Sequence, residues 1–202
     1  MKRKLKFLYP LFAFLIYSAI GFSQTNFSLR VKPIGFTPVQ NINAEIFTLK
    51  ADPGAHLLFE PGIILAYEKY IIEDQVAVKI NQGVYLDATA GASGMSAVNL
   101  QFRIQKKRSL AYKKKAALNL GIGFGVLYRN SWSRLEGYVK ERFVYTNDNF
   151  QYLFLPYIDL GYDIYKSQTN DLSFGLLYGY PNTANLYIGW KYWFARTDCH
   201  CK

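Results

Sequence analysis

The chain has 202 residues and a formal net charge of +10, with 17% aromatic and 19% charged residues. Half of the residues are apolar, which excludes a disordered chain. The mean hydropathy of −0.04 excludes a protein built from several apolar membrane helices. The length fits a single domain of ordinary size.

Residues 1–23 have the pattern of a secretory signal peptide, which is cleaved before Gln24. Four basic residues open the chain: Lys2, Arg3, Lys4 and Lys6. An apolar run follows, and Gly21 and Ser23 occupy the −3 and −1 positions of the cleavage site. The alternative is an N-terminal membrane anchor, but the run is short and contains Pro10. Cleavage removes these four charges, so the net charge falls from +10 to +6. Because the chain is exported, we do not expect it to bind nucleic acid.

Eight segments of residues 24–195 alternate apolar and polar residues with a period of two, which is the signature of strands. In residues 116–129, for example, Leu118, Leu120 and Ile122 face one way, while Gly121 and Gly123 face the other. The segments are residues 27–32, 57–68, 76–87, 98–105, 116–129, 151–165, 172–180 and 185–195. Pro33 interrupts the first segment and predicts a bulge or a strand end there. The fold class predicted from this pattern is an all-β, eight-stranded antiparallel up-and-down transmembrane β-barrel.

The composition of the two faces favours a membrane barrel over a soluble one. One face has nearly all the large apolar residues, as lipid contact requires, and the other is small, polar or charged. The second face includes six cations and five anions: Arg30, Lys32, Lys79, Arg103, Arg129, Lys191, Glu60, Glu68, Asp87, Asp159 and Asp163. A near balance of charge is what a closed, ion-paired lumen needs. We predict a lumen network of Glu60, Glu68, Lys79, Asp87, Arg103, Asp159, Asp163 and Lys191. Aromatic packing within a soluble β-sandwich remains the alternative.

The last strand carries a resemblance to a known family. Apolar residues alternate up to a final aromatic at Leu186, Ile188, Trp190, Tyr192 and Phe194. This stretch resembles the C-terminal assembly signal of small bacterial outer-membrane β-barrel proteins, although residues 195–202 follow the aromatic here. The resemblance implies an outer-membrane location and recognition by the barrel-assembly machinery. It implies no activity.

The sequence has few groups suited to chemistry. Cys199, His200 and Cys201 lie together in a predicted periplasmic tail, residues 196–202, but a structural zinc site needs a fourth ligand and usually two separated pairs. His56 is the other histidine, and no serine lies next to it in the sequence. We therefore predict no catalytic, metal or cofactor-binding residues. A lipid-modifying enzyme and a narrow channel are the alternatives to this interpretation.

The connections between strands are where function is expected. Residues 130–149 form a long connection that combines aromatic and basic residues suited to binding: Trp132, Arg134, Tyr138, Arg142 and Phe143. Two basic runs, residues 106–108 and 113–115, bracket a predicted periplasmic turn. The predicted function is a structural role or binding through the loops. Its predicted partners are outer-membrane lipids, the assembly machinery and an extracellular ligand or protein.

Overall fold

A computed structural model describes residues 24–37, 41–72, 75–105, 116–140, 144–147, 149–167, 169–179 and 183–195. The predicted signal peptide, the basic turn of residues 106–115, Arg142, Phe143 and the tail with Cys199, His200 and Cys201 lie outside these residues. In the described part of the chain, no helix is long and apolar enough to cross a membrane.

The described chain folds into one antiparallel sheet that closes on itself. Its strands are β1 (Thr25–Phe36), β2 (Leu57–Ile72), β3 (Val76–Leu86), β4 (Ala92–Gln105), β5 (Ala116–Asn130), β6 (Val144–Thr146), β7 (Phe150–Tyr165), β8 (Asn170–Gly179) and β9 (Thr183–Ala195). Apart from β6, strands that are neighbours in the chain are neighbours in the sheet, β1 pairs with β9, and β5 pairs with β7. Eight strands form the barrel and β6 is a short addition to β7. The predicted eight-stranded up-and-down barrel is confirmed.

The register of the strands sets the width of the barrel. Following the paired residues from Ile164 once around the barrel leads back to β7 at Phe154, an offset of ten residues (164 − 154). With a strand spacing of ~4.8 Å and a rise of ~3.3 Å per residue, this offset gives a strand tilt of roughly 40° and a barrel radius of about 8 Å. Side chains alone can fill so narrow an interior.

Two features of the strands depart from simple alternation. The register shifts between Lys32 and Ile34 in the pairing of β1 with β2, which confirms the predicted interruption at Pro33. Strand β4 begins at Ala92, six residues before the predicted start. Residues 92–97 are small or unbranched and show no apolar alternation, yet they pair continuously with β3 and β5, since both neighbouring strands offer free backbone groups there.

The connections lie at the two ends of the barrel. Of the connections that the structure describes, three lie at one end, and we name them L1 (residues 37–56), L2 (residues 87–91) and L3 (residues 131–149). Strand β6 belongs to L3 and was not predicted from the sequence, because three residues are too few to show a period. The opposite end carries the first residue of β1 and the last residue of β9.

The tight fit of side chains inside the barrel can be tested at two inward-facing glycines. A methyl group at Gly175 would lie 2.2 Å from the Leu160 carbonyl oxygen and 2.4 Å from the Tyr187 hydroxyl, whereas at Gly125 the nearest atom would be 3.3 Å away. Gly175→Ala is therefore expected to lower the free energy of unfolding by about 1–3 kcal/mol. Equilibrium urea unfolding followed by tryptophan fluorescence measures the change. Gly125→Ala is the matched control, and an equal loss in both variants would contradict this packing.

Candidate functional site

The part of the lumen away from L1, L2 and L3 contains a continuous network of buried charges. Asp159 accepts from Arg30 Nη1 at 2.9 Å and from Lys79 Nζ at 2.5 Å. Lys79 also lies 3.1 Å from Glu68, which is 3.2 Å from Lys191 Nζ. These five side chains are at most 2% exposed. They come from five strands, so the network joins walls of the barrel that are far apart in the sequence.

The same network continues to the end of the barrel opposite L1, L2 and L3. Lys191 lies 2.7 Å from Asp163, and Arg103 lies 3.8 Å from Asp163 and 3.6 Å from Asp171. Tyr70 and Tyr165 accept hydrogen bonds from the Arg103 guanidinium. The network thus has four cations and four anions: Arg30, Lys79, Arg103, Lys191, Glu68, Asp159, Asp163 and Asp171. Its net charge is zero, which limits the cost of burial.

An apolar layer closes the lumen above the charges. It consists of Ile64, Met95, Ala97, Tyr157, Leu177 and Tyr187, all buried. Tyr187 joins the two layers, because its hydroxyl donates to Asp159 at 3.0 Å and its ring lies 4.2 Å from the Arg30 guanidinium carbon. The alternation of β-strands did not reveal this layer, since its members share the inward face with polar residues.

Above the apolar layer a second, smaller polar group surrounds a cavity. Lys32 lies 2.9 Å from Glu60 and 3.6 Å above the Tyr85 ring. Arg129 Nε donates to Gln151 at 2.9 Å. The cavity between them has a volume of about 40 Å³. This is room for water, far below the roughly 300–1,000 Å³ of small-molecule sites.

Loops L1, L2 and L3 form a cap over the barrel mouth. Trp132 of L3 is 3% exposed, packs edge-on against Phe47 of L1 at 5.3 Å, and donates to Asp87 of L2 at 3.1 Å. Its ring centroid lies 3.1 Å from the Arg129 guanidinium carbon, at the top of β5. Asn43 of L1 and the backbone of Val139 exchange two hydrogen bonds of 2.7 and 2.9 Å. The cap is therefore bound to the barrel wall through Trp132.

The predicted network residues divide into three groups in the structure. Glu68, Lys79, Arg103, Asp159, Asp163 and Lys191 meet in the central network. Glu60 pairs with Lys32, above the apolar layer. Asp87 instead accepts hydrogen bonds from Thr89, Gly91, Ser93 and Trp132, so it organises L2 and the cap. Arg30 and Asp171 belong to the network but were not among the predicted members.

The predicted binding residues of L3 do not share one surface. Trp132 is buried and Tyr138 is half-buried against it, with ring centroids 6.4 Å apart, whereas Arg134 is exposed. The two aromatic rings hold the cap together, which differs from the expectation that they contact a partner. The exposed part of the cap includes Ile42, Leu135, Val139 and Tyr145.

The strand with the predicted assembly signal lies where the barrel closes. Leu186, Ile188, Trp190, Tyr192 and Phe194 all point outward and are 42–64% exposed. Between them, inward-facing Tyr187 and Lys191 contribute to the apolar layer and the network. One strand thus carries both faces of the barrel in alternation.

His56 was the one histidine considered for catalysis. It lies in L1, and its Nδ1 is 3.2 Å from the Thr37 carbonyl oxygen. Hydrogen bonds from the backbone N–H groups of Leu57 and His56 to Asp52 hold the pKa of that carboxyl below its usual value. These contacts form a turn in which the imidazole meets a carbonyl oxygen, while the Thr37 hydroxyl donates to the Ala55 carbonyl oxygen.

No protein-family model and no curated protein sequence matches the chain. The structure is similar to the N-terminal β-barrel domain of Pseudomonas aeruginosa OprF, with a TM-score of 0.50, 9% identity, and coverage of 86% of this chain and 100% of that one. It also matches neisserial surface protein A (TM-score 0.49, 9% identity, 84% of this chain and 96% of that one). A third match is Ail, the attachment invasion locus protein of Yersinia pestis, in complex with the heparin analogue sucrose octasulfate (TM-score 0.48, 10% identity, 85% and 99%).

At such identities the likeness concerns the fold. The chain has the fold of the small eight-stranded outer-membrane β-barrel proteins.

The dependence of the barrel on its charge balance can be tested at Asp159. Asp159→Asn removes the carboxylate that Arg30 and Lys79 share and leaves Arg30 with Glu68, at 4.0 Å, as its nearest carboxylate, so the free energy of unfolding should fall by about 3–5 kcal/mol. Urea titration of the refolded protein measures the loss. The matched control is Glu60→Gln, since Glu60 is 15% exposed and pairs with one cation. If the network does not stabilise the barrel, the free energy of unfolding would fall by the same small amount in both variants.

The anchoring of the cap can be tested at Trp132. Trp132→Ala removes the ring shared by L1, L2 and the barrel wall, so the free energy of opening the cap should fall by about 3 kcal/mol. Amide hydrogen exchange of residues 43–49 and 132–139 measures opening. Tyr145→Ala serves as the control, because Tyr145 is 67% exposed. Unchanged exchange in Trp132→Ala would show that the ring does not hold the loops.

Proposed function

We propose that the protein is an integral protein of the outer membrane that holds a capped loop platform at the cell surface and acts structurally or by binding, without catalysis. The observation that carries this proposal is the inverted distribution of side chains. Arg30, Lys79 and Glu68 are at most 1% exposed, whereas Phe124 is 76% exposed. In water this arrangement would be unstable, because the apolar face would be hydrated and the charges desolvated.

The dimensions of the outer wall support the membrane location. From Leu118 to Tyr128, β5 presents apolar or aromatic side chains outward, and the ten residue steps between them rise about 25 Å along the barrel axis at the tilt derived above. The apolar band of outer-membrane barrels is also about 25 Å tall. Tyr128 and Tyr152 are paired at the loop end of this wall, as in an aromatic girdle.

The proposal includes export and assembly. Residues 1–23 would direct the chain across the inner membrane and be cleaved before Gln24. The outward residues of β9, from Leu186 to Phe194, would then be read by the barrel-assembly machinery. This strand pairs with β1 to close the barrel, so its recognition and closure of the sheet involve the same segment.

The packing of the lumen supports a function that does not require ions to pass through the barrel. The central network crosses the interior with no net charge, and the apolar layer lies between it and the cavity. An ion would have to break pairs of 2.5–3.2 Å and pass buried tyrosines. Binding is therefore assigned to the exposed cap residues Ile42, Arg134, Leu135 and Val139, for which an extracellular ligand or protein is the proposed partner.

The membrane location can be tested at Phe124, near the middle of the outer row of β5. Phe124→Arg is expected to make folding into lipid vesicles less favourable by about 2–4 kcal/mol, because the charge must enter hydrocarbon. Phe124→Leu is the matched control and should fold as the wild type does. Folding yield is measured by the mobility difference between heated and unheated samples.

Two results would contradict the proposal. On a water-exposed surface Phe124→Arg would be neutral, and the wild-type chain would stay dispersed without detergent. Rapid ion leakage from vesicles that contain the wild-type barrel would contradict the closed lumen.

A further inference from the structure

In the described part of the chain, a cluster of polar side chains lies on the apolar outer wall: Gln82 of β3, Ser96 of β4 and Tyr128 of β5, which we name the outer trio. Ser96 Oγ donates to Gln82 Oε1 at 2.6 Å, and Gln82 Nε2 donates to the Tyr128 hydroxyl oxygen. All three side chains point away from the lumen, since their neighbours Asn81, Ala97 and Leu127 point inward. The outer trio therefore faces the lipid in the arrangement proposed above, on which the following inference rests.

The backbone is shaped to hold the outer trio together. Gly94 pairs with Tyr128, and a methyl group at Gly94 would lie 2.3–2.7 Å from three atoms of the Tyr128 ring and hydroxyl. The absence of a side chain at this position lets the ring lie on β4, which brings its hydroxyl to Gln82 instead of directing it toward the loops. Any other residue at Gly94 would displace the ring.

The outer trio lies within the apolar belt. Gln82 is flanked by Ile80 and Val84, which are 51% and 62% exposed, and the register pairs it with outward-facing Leu65. Gln82 is five strands from Ile164 along the paired residues, so at the derived tilt it lies roughly 16 Å above Ile164 in a belt of about 25 Å. This is the half of the belt nearer the loops.

The trio has hydrogen-bond donors in excess. The Ser96 hydroxyl hydrogen and one Gln82 amide hydrogen are used within it. The second amide hydrogen of Gln82 and the phenolic hydrogen of Tyr128 contact no acceptor in the described part of the chain. In hydrocarbon an unsatisfied donor costs several kcal/mol, and no water is present to satisfy it. The groups that can satisfy it there are the carbonyl oxygens of the lipids.

We propose that the outer trio binds a carbonyl oxygen of a lipid acyl linkage, either ester or amide, in the leaflet on the loop side. Tyr128 lies opposite Tyr152 at the level of the upper girdle, so the site extends from the interface, where acyl linkages lie, into the belt. The bound lipid would supply the acceptors that the protein lacks, and the barrel would carry one lipid at a defined position on β3–β5.

The proposed site binds the lipid carbonyl group and does not hydrolyse the acyl linkage. A serine becomes a nucleophile when a neighbouring base accepts its proton. Ser96 donates to an amide oxygen, which is not such a base. The trio therefore holds the carbonyl without attacking it.

The experiment uses lipids that differ by the carbonyl alone. The wild-type protein is reconstituted into nanodiscs of equal amounts of a diester and a diether phosphatidylglycerol, and the lipids that remain bound are identified by native mass spectrometry. The diether lipid has the same headgroup and no acyl carbonyl. One net hydrogen bond predicts a roughly fivefold enrichment of the carbonyl-bearing lipid. A second mixture, of an N-acyl phospholipid with the diether lipid, distinguishes amide from ester recognition, and enrichment in either mixture supports the site.

Variants assign the enrichment to the trio. The triple variant Gln82→Leu/Ser96→Ala/Tyr128→Phe should abolish it, because it removes every donor of the trio, whereas Val84→Leu, one outward position further along β3, should retain it. Enrichment in neither mixture with wild-type protein overturns the inference, and so does enrichment that survives the triple variant. A barrel that inserts without lipid preference leaves the membrane assignment intact, while a chain that does not insert overturns both proposals. The comparison of carbonyl-bearing with diether lipids on the wild-type protein tests the inference even if a variant does not fold.

Discussion

The balance of charge inside the barrel is the constraint on which the rest of the structure depends. A closed eight-stranded sheet has one enclosed face, and the central network on that face holds four cations and four anions with almost no exposure. Burying any one of these charges alone would be prohibitive, but each lies next to an opposite charge. Because Arg30, Lys79, Lys191 and Arg103 come from four different strands, the pairs form only when the whole barrel has closed with its native register. The network therefore couples the register of every strand to that of the others.

The loops of the cap are also held in fixed positions relative to the barrel. Arg129 at the top of β5 stacks on Trp132, and Asp87 after β3 accepts its indole hydrogen. Loops on a narrow barrel are usually tethered at their ends alone, but here a buried ring fixes three of them to the wall. The exposed cap residues are consequently held in one arrangement, which reduces the entropy lost when a partner binds.

Among the described residues, the apolar layer and the outer trio depart from the composition of the barrel face on which they lie. The apolar layer with Met95 and Leu177 lies inside and separates the charge network from the cavity below the cap. The outer trio lies outside and presents hydrogen-bond donors on the outer wall. A pattern of alternation describes the average of a strand, whereas function is associated with the residues that break it.

The sequence by itself determined the class of fold and the face on which each strand residue lies, because a period of two assigns side chains to faces without knowledge of their neighbours. Leu118, Ile122 and Phe124 were placed outward, and Lys79, Asp159 and Lys191 inward, from the pattern alone. Tertiary structure decided which charges meet, since Arg30 and Asp159 are 129 positions apart. It also decided that Asp87 and Trp132 hold the cap, that β4 starts at Ala92, and that Gly94 admits the ring of Tyr128. These outcomes depend on strand register and on the shear of the closed barrel, which arise from contacts between distant segments and leave no period in the chain.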